Sequence, residues 1–218
     1  MFFRFYFTLT FCLLGCCLYS NPSCPDVVKG MAQFTQKGQQ LTIKTQTDKT
    51  IINWDQFSVN ANEITHFLQP HKHAATLNRV LSAVPSEILG SLSSNGVLFL
   101  INPNGVLVGP GGQIDVNGLV ASTLDVSNGA FLKGDDLLFS GDSKAAVANY
   151  GLIQGGDDGV YLIGRHLVNQ GEILAVSSEV HFGAGSRILL KTQDKHIYIQ
   201  PDLKKFFRRH RCGSYWDD

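Results

Sequence analysis

Short apolar runs alternate with glycine- and asparagine-rich turns along the chain from residue 27 to residue 200. Runs such as "QLTIKT", "GVLFLI" and "GVYLIG" are rich in residues that favour extended backbone, and turn-forming residues bound them. One stretch, residues 74–92, has the apolar spacing of an amphipathic helix, but Pro85 and Gly90 interrupt it. The pattern therefore predicts an all-β chain.

Asparagine-glycine turns recur along the chain and indicate how the strands are arranged. "NYGLIQGGDDGVYLIG" begins at Asn149, and "NQGEILAV" begins twenty residues later at Asn169. Related corners stand at Asn95, Asn104, Asn117 and Asn128. A period of about twenty residues is typical of one coil of a parallel β-helix, and about nine such coils would fit this chain. A β-sandwich is the alternative, although "VLFLI" lacks the two-residue alternation that a sandwich strand shows.

Two tight corners are predicted in "LINPNGVLVGPGG", residues 100–112. Pro103 presets the second position of a turn, Asn104 tolerates the third, and Gly105 suits the exit. Pro110 and Gly111 stand where a type II turn requires proline and glycine. Both corners would let a strand change direction without interrupting the core, and neither by itself indicates an activity.

The first twenty residues form a separate segment. They carry one charge, Arg4, in a largely apolar run without acidic residues, which is typical of a secretory signal peptide over residues 1–20. A short membrane anchor is the alternative, and "LLGC", ending at Cys16, also resembles a bacterial lipoprotein box. Beyond this leader the cysteines are Cys24 and Cys212, so we expect an exported domain that does not depend on a disulfide framework.

Composition narrows the classes of function. The chain is 44% hydrophobic and 17% charged, which suits a sizeable core, and its formal net charge is zero. A nucleic-acid-binding domain needs a basic face, so this balance argues against nucleic acid as a partner.

Candidate chemistry is sparse. The residues that qualify are three histidines and two pairs of adjacent carboxylates: His66, His71, His73, Asp135-Asp136 and Asp157-Asp158. The histidines lack the helical spacing or cysteine partners of a metal site, and the carboxylate pairs stand in glycine-rich turns where side chains usually point into water. We therefore predict no enzyme activity, no catalytic residue, no metal, no cofactor and no small-molecule substrate.

Five blocks of sequence occur in order between Thr50 and Asn128. They are Asn53-Trp54 followed by Phe57, Leu77-Asn78-Arg79-Val80, Ser86-x-Ile88-x-Gly90, Asn102-Pro103-Asn104-Gly105, and Gly118-Leu119-Val120-Ala121-Ser122-Thr123. Together they resemble the secretion domain of filamentous-haemagglutinin-type exoproteins of two-partner secretion systems, also called the haemagglutination activity domain. A weaker likeness runs from Val27 to about Ala175.

The resemblance implies a fold, a partner and a location. Domains of this family fold as a right-handed parallel β-helix, a single-stranded solenoid of the pectin-lyase type. They stand near the N-terminus of long exoproteins, here predicted as residues 25–200, and the periplasmic domains of a dedicated outer-membrane β-barrel transporter recognise them. The chain is then exported through the periplasm to the cell surface or the medium. The domain templates the folding of an adhesin passenger, which would meet a host surface or glycan.

The resemblance also selects residues for fold and export competence. The primary set is Asn102, Pro103, Asn104, Gly105, Asn78, Arg79, Asn53 and Trp54, and the secondary set is Gly118, Leu119, Ala121, Ser122 and Thr123. Strand addition at an open strand edge is the physical route by which we expect the transporter to recognise the domain, since main-chain hydrogen bonds supply affinity in that mode.

Two features depart from the family pattern. Members continue for many hundreds of residues, whereas this chain ends at Asp218, and residues 201–218 are basic and aromatic without a coil repeat. We expect this tail to be truncated or out of frame, with a capping segment or a basic surface patch as alternatives. The alternative functions are a stand-alone surface adhesin that binds glycan, with Trp54, Phe67 and Tyr161 as stacking surfaces, and a polysaccharide-active β-helix enzyme.

Overall fold

The computed structural model of the chain describes residues 21–175, 178–191 and 196–199. The predicted signal peptide and the basic tail lie outside these residues. In chain order the strands are β1 (Ser23–Lys29), β2 (Ala32–Lys37), β3 (Gln40–Thr45), β4 (Lys49–Gln56), β5 (Ile64–Leu68), β6 (Ala75–Val80), β7 (Ser86–Ile88), β8 (Ser91–Ile101), β9 (Val106–Val108), β10 (Gln113–Ser122), β11 (Leu137–Ser140), β12 (Ala146–Asn149), β13 (Leu152–Gly164), β14 (His166–Asn169), β15 (Glu172–Ala175), β16 (Val180–Ala184), β17 (Arg187–Leu190) and β18 (Ile197–Ile199). One short helix, α1 (Asn128–Lys133), lies in the described ranges, and these ranges hold no helix long and apolar enough to cross a membrane.

The strands form a parallel β-helix of about six turns, in which faces 1 and 2 are long and face 3 has four strands among the described residues. Face 1 stacks β4, β6, the second halves of β8, β10 and β13, and β16. Face 2 stacks β3, β5, the first halves of the same three long strands, and β15. Face 3 stacks β7, β9, β12 and β14. The prediction of an all-β, right-handed parallel β-helix is confirmed, and the sandwich alternative is wrong.

Antiparallel strands cover the N-terminal end of the β-helix. β1 pairs with β4, and β2 pairs with β3, so both long faces of the first turn are covered. A separate antiparallel sheet of β11, β17 and β18 lies outside the β-helix.

The twenty-residue period holds for some turns and not for others. Asn149 lies directly opposite Asn169, as the repeat predicts. Gln113, in contrast, pairs with Leu152, because residues 124–145 leave the β-helix between them. The expectation of about nine turns is therefore wrong. The antiparallel strands at the N-terminal end and the elements outside the β-helix use residues that this expectation assigned to further turns.

Two apolar cores lie on opposite sides of face 1. The inner core is enclosed by the three faces and includes Trp54, whose ring meets those of Phe34 and Phe57 edge to face, with centroids 5.7 and 5.5 Å apart. The outer core lies between face 1 and a cover made of α1, β11 and β17. Along β8, Leu98 belongs to the inner core and Phe99 to the outer one. Burial on both sides explains why "VLFLI" shows no alternation.

α1 was missed in the sequence because six residues are too few for apolar periodicity to be recognised. Gly134 ends the helix with φ 77°. The Lys49 ammonium donates to the carbonyl oxygens of Phe131 and Leu132 at 2.6 and 3.3 Å, which satisfies two acceptors of the last turn. Residues 74–92, whose spacing suggested an interrupted helix, contain β6, β7 and the start of β8.

The Pro110-Gly111 corner is a hydrogen-bonded turn, but it is not of the predicted type. The Gly112 amide donates to the Gly109 carbonyl oxygen at 2.8 Å, yet Gly111 does not have the positive φ that a type II turn requires. The position at this corner that requires glycine is 112 and not 111. A Cβ at Gly112 would collide with the carbonyl oxygen of Ile88 in the preceding turn.

The same close approach recurs at this corner in the following turns. Gly151 lies against the carbonyl oxygen of Gly112, and Gly171 lies against that of Gly151, so a Cβ on either would collide with backbone. We call Gly112, Gly151 and Gly171 the glycine stack. None of these three residues has a positive φ. Glycine is therefore required here for space between turns and not for its backbone conformation.

Substitution of Gly112 by alanine is expected to lower the free energy of unfolding by about 1–3 kcal/mol, because the methyl group must push two turns apart. Gly111→Ala is the matched control, since its Cβ would meet nothing closer than the Leu89 carbonyl oxygen at 3.6 Å. Urea denaturation of the two purified variants measures the difference. Equal midpoints and slopes for both variants would contradict the role of the glycine stack.

Candidate recognition surface

Asn102 is the buried centre of the Asn102–Gly105 corner. Its side chain is inaccessible to solvent, and its Nδ2 donates to the Val84 carbonyl oxygen and to Ser86 Oγ, both at 3.0 Å. Its Oδ1 accepts a hydrogen bond from the Asn104 amide at 2.9 Å. A buried amide must find such partners, and here they tie the corner to the loop of the preceding turn.

Gly105 closes this corner as the sequence predicts. Its amide donates to the Asn102 carbonyl oxygen at 3.0 Å, and its φ of 119° falls in a region that side chains disfavour. Asn104 does not have a positive φ, so the centre of the turn is compatible with type I geometry. The Gly105 carbonyl oxygen accepts a hydrogen bond from the Ser86 amide at 3.0 Å, which is a second link to the preceding turn.

The corner holds an exposed apolar loop in place. Asn104 Nδ2 donates to the Ser82 carbonyl oxygen at 2.8 Å. On either side of this contact, Leu81 is 60% exposed and Val84 is 43% exposed. We call Leu81, Val84, Pro103 and Asn104 the corner surface. Leu81 and Val84 were not recognised from the sequence, because the apolar spacing around Pro85 was attributed to an interrupted helix.

A second cluster of predicted residues lies inside face 1. Trp54 is 1% exposed, and its indole N–H donates to Asn78 Oδ1 at 3.0 Å. Asn78 Nδ2 donates in turn to the Phe99 carbonyl oxygen at 3.2 Å. Asn53 is partly exposed, and its buried Oδ1 has no hydrogen-bond partner among the described residues. Trp54 and Asn78 therefore support the inner core and do not form a surface.

Arg79 lies on the outer side of face 1, and its guanidinium binds the segment that leads into the cover. Its Nε donates to Asp125 Oδ1, its Nη1 to Asn128 Oδ1 and its Nη2 to the Val126 carbonyl oxygen, each at 2.9 Å. The guanidinium therefore fixes the start of the segment that leaves the β-helix and leads into α1. A planar group with several donors suits this role better than lysine.

The Gly118–Thr123 block runs along β10 and ends beside the corner. Leu119 and Ala121 belong to the inner core. Ser122 Oγ donates to the Leu124 carbonyl oxygen at 2.8 Å, and the Ser122 carbonyl oxygen accepts from the Asn102 amide at 3.0 Å. A Cβ at Gly118 would collide with the side chain of Asp158 and crowd that of Val97. The Thr123 amide donates to the Ile163 carbonyl oxygen of the next turn at 3.1 Å.

The three candidate histidines lie apart, each beside a different partner. His66 Nδ1 is 2.7 Å from Ser93 Oγ, His71 Nε2 is 3.2 Å from Asp48 Oδ1, and His73 Nδ1 is 2.8 Å from Asp158 Oδ2. Within the described part of the chain, no group of three or more histidine, cysteine or acidic side chains is placed to hold a metal ion.

The Asp157-Asp158 pair departs from the expectation that both carboxylates point into water. Lys72 Nζ donates to Asp157 Oδ2 at 2.9 Å, while His73 and Asn117 both contact Asp158 Oδ2. The side chain of Asp158 is consequently 15% exposed. The reason is that the loop containing Lys72 and His73 reaches across two intervening turns. Asp135 and Asp136 are exposed, as expected.

The aromatic residues proposed as glycan-stacking surfaces are buried. Trp54, Phe67 and Tyr161 are 1%, 0% and 5% exposed. Burial, with smaller contributions from the charges of Glu179 and Asp158, raises the pKa of Tyr161 to about 12. Its ring stacks on His181 with centroids 4.9 Å apart. These three side chains therefore form no exposed aromatic row.

The β-helix with its antiparallel cap and its hydrogen-bonded corner defines the class of fold, a capped parallel β-helix. The model of the TPS secretion domain matches residues 22–201, and the chain belongs to that family. It is 33% identical over 187 residues to a heme/hemopexin-binding protein of Haemophilus influenzae, a match that covers 82% of this chain and 21% of the relative. The chain thus spans about a fifth of that relative's length.

Solved structures agree with this assignment. The crystal structure of the HMW1 secretion domain from Haemophilus influenzae superposes with a TM-score of 0.78 at 36% identity, over 83% of this chain and 49% of that one. The crystal structure of the filamentous hemagglutinin secretion domain superposes with a TM-score of 0.54 over 80% of this chain and 68% of that one. At 16% identity the second likeness shows the fold alone.

Asn78→Ala is expected to lower the free energy of unfolding by about 1–3 kcal/mol, because it leaves the buried indole N–H of Trp54 without an acceptor. In a Trp54→Phe background the same substitution removes no indole partner, so its effect should be smaller. A double-mutant cycle by denaturant unfolding measures the coupling. Strictly additive effects would show that the hydrogen bond does not contribute to stability.

Proposed function

We propose that this chain carries the secretion domain through which an exoprotein is recognised by the periplasmic domains of a cognate outer-membrane β-barrel transporter. The family match over residues 22–201 is the observation that carries the proposal. Exoproteins of this family are secreted through the outer membrane, so the chain would pass through the periplasm to the cell surface or the medium. Its role is binding and not catalysis.

The corner surface is the proposed contact with the transporter. Leu81 and Val84 are aliphatic and exposed, and removing such groups from water is the general driving force of protein association. The hydrogen bonds of Asn102 and Asn104 hold the loop that carries them, so little conformational entropy would be lost on binding. The buried Trp54 and Asn78 and the partly exposed Asn53 would support export indirectly, by stabilising the fold.

The outer edge of β2 is a second proposed contact, by strand addition. The Gln46 amide donates to the Met31 carbonyl oxygen at 3.0 Å, so backbone groups of the even residues 32, 34 and 36 face away from β3. β2 has no proline and no register shift. β1 contains Pro25, a positive φ at Cys24 and a register shift, features that disfavour pairing with another strand.

The C-terminal end of the β-helix is proposed to template an adhesin passenger. Within the described residues, β15 and β16 each pair with β13 on one side. A further turn would pair with their other side, as every turn here pairs with the one before it. A stand-alone glycan-binding adhesin is the alternative. Heme and hemopexin binding belong to the names of much longer relatives, and we do not assign them to this chain.

Replacing Leu81 and Val84 by serine should reduce secretion beside the cognate transporter by about tenfold or more, because the apolar contact is lost. Both side chains are exposed, so the melting temperature of the purified variant should stay within experimental error of the native value. Immunoblotting of the medium and the periplasm measures the ratio.

Leu68→Ser is the matched control, since Leu68 is a 41% exposed aliphatic residue of β5 on face 2 and belongs to neither proposed contact. A third variant, Asn104→Ala with Gly105→Ala, releases the loop and should also reduce secretion. Unchanged secretion of both corner variants would rule out the corner surface as the contact.

Gln36→Pro should weaken binding of the transporter's periplasmic domains by about tenfold, because proline removes one outward-facing N–H and blocks the edge. Gln36→Ala removes the same side chain and keeps the N–H, so it should bind like the native chain. Surface plasmon resonance with immobilised periplasmic domains compares the three. Equal affinity for the proline and alanine variants would exclude strand addition at β2.

A further inference from the structure

A cavity of about 250 Å³ opens outside the β-helix, between face 1 and its cover. Face 1 supplies one apolar wall through Val97, Phe99 and Val120, and the cover supplies the other through Phe131, Leu137 and Leu190. Protein interiors rarely leave apolar space of this size unfilled. The residues of the cavity take no part in the proposed transporter contacts.

Small residues leave this space open. Ala75 lies in the wall of the cavity, where β6 neighbours β8. The next outward-facing residue of β6 is Leu77, which has a larger side chain. Gly134 ends α1 beside the same cavity, so the cover turns away there without a side chain. A leucine in place of Ala75 would extend into the space.

Basic side chains dominate the charged part of the lining. Lys49 and Lys191 both line the cavity, together with His73 and Asp158. Asp158 accepts a hydrogen bond from Asn117 and contacts His73, and its single negative charge stands against two lysines in this lining. The lining therefore keeps an excess of positive charge that a ligand anion would balance.

Lys49 is placed to receive an anion. Its ammonium has three donors, and two of them are directed to the carbonyl oxygens of Phe131 and Leu132. Partial burial lowers the pKa of Lys49, against a smaller opposing effect of Asp135. A carboxylate at this point would offset the desolvation of the ammonium. Lys191 also lines the cavity, and its ammonium lies 5.3 Å from the ring centre of Tyr198.

We propose that this cavity binds a medium-chain aliphatic monocarboxylate, with the chain between Phe99 and Leu137 and the carboxylate beside Lys49 and Lys191. At roughly 30 Å³ per heavy atom, the share of one water molecule in the liquid, the cavity accommodates about eight heavy atoms. The eight carbon atoms of octanoate match this size, and its two carboxylate oxygens would lie at the opening of the cavity. The apolar walls select the chain, and the two lysines select an anion over a neutral head group.

Titration of the purified chain with octanoate, followed by isothermal calorimetry, tests the proposal. Saturable binding of one octanoate per chain is expected, with octan-1-ol bound about tenfold more weakly because it carries no charge for the lysines. Lys191→Met should reduce this preference and leave octanol binding unchanged. Absence of saturable octanoate binding overturns the proposal, and equal binding of octanoate and octanol overturns the role of the lysines.

Substitutions that fill the cavity test whether octanoate binds there or elsewhere on the chain. Ala75→Leu should weaken octanoate binding at least tenfold, while the melting temperature stays the same or rises. Ala184→Leu is the matched control, since it adds the same atoms at an exposed position of β16. If Ala75→Leu does not fold, Val97→Phe fills the cavity from its partly exposed wall. Binding that persists in a folded, cavity-filled variant overturns the proposal.

Discussion

The backbone of each turn lies directly on the backbone of the turn before it, at the usual strand spacing of about 4.8 Å. Along the strands this spacing is compatible with many side chains, because they point inward or outward. At the corner after face 3 it is not, because carbonyl oxygens of one turn occupy the space that a Cβ would need in the next. The glycine stack follows from this constraint. The same close stacking brings equivalent side chains of successive turns together, and Asn149 Nδ2 donates to Asn169 Oδ1 at 2.8 Å.

Face 1 differs from the other faces because it is buried on both sides. Its inward side chains complete the inner core, and its outward ones pack against α1, β11 and β17. The family blocks therefore have several physical roles. Asn78 satisfies the indole of Trp54 within the inner core, whereas Arg79, the next residue, holds the cover from outside. Asn102 links buried hydrogen bonding to an exposed loop.

The proposed transporter contacts, passenger contact and anion site therefore lie on different parts of one β-helix. The corner surface and the edge of β2 would contact a transporter, and the last turn would support a passenger. The cavity beneath the cover would hold a small anion. Substitutions that unfold the β-helix would impair all three together, whereas substitutions at exposed positions such as Leu81 or Gln36 would impair one. Stability and secretion must therefore be measured on the same variants.

The amino-acid sequence by itself determined the strands, the turn at Asn102–Gly105, the coil repeat from Asn149 to Asn169 and the family. These depend on turn chemistry and on residues close together in the chain. The tertiary structure decided the number of turns, the departure of residues 124–145, the exposure of Leu81 and the contact between Lys72 and Asp157, which are 85 residues apart. Such features depend on which distant segments pack together, and no local pattern of apolar and polar residues specifies that choice.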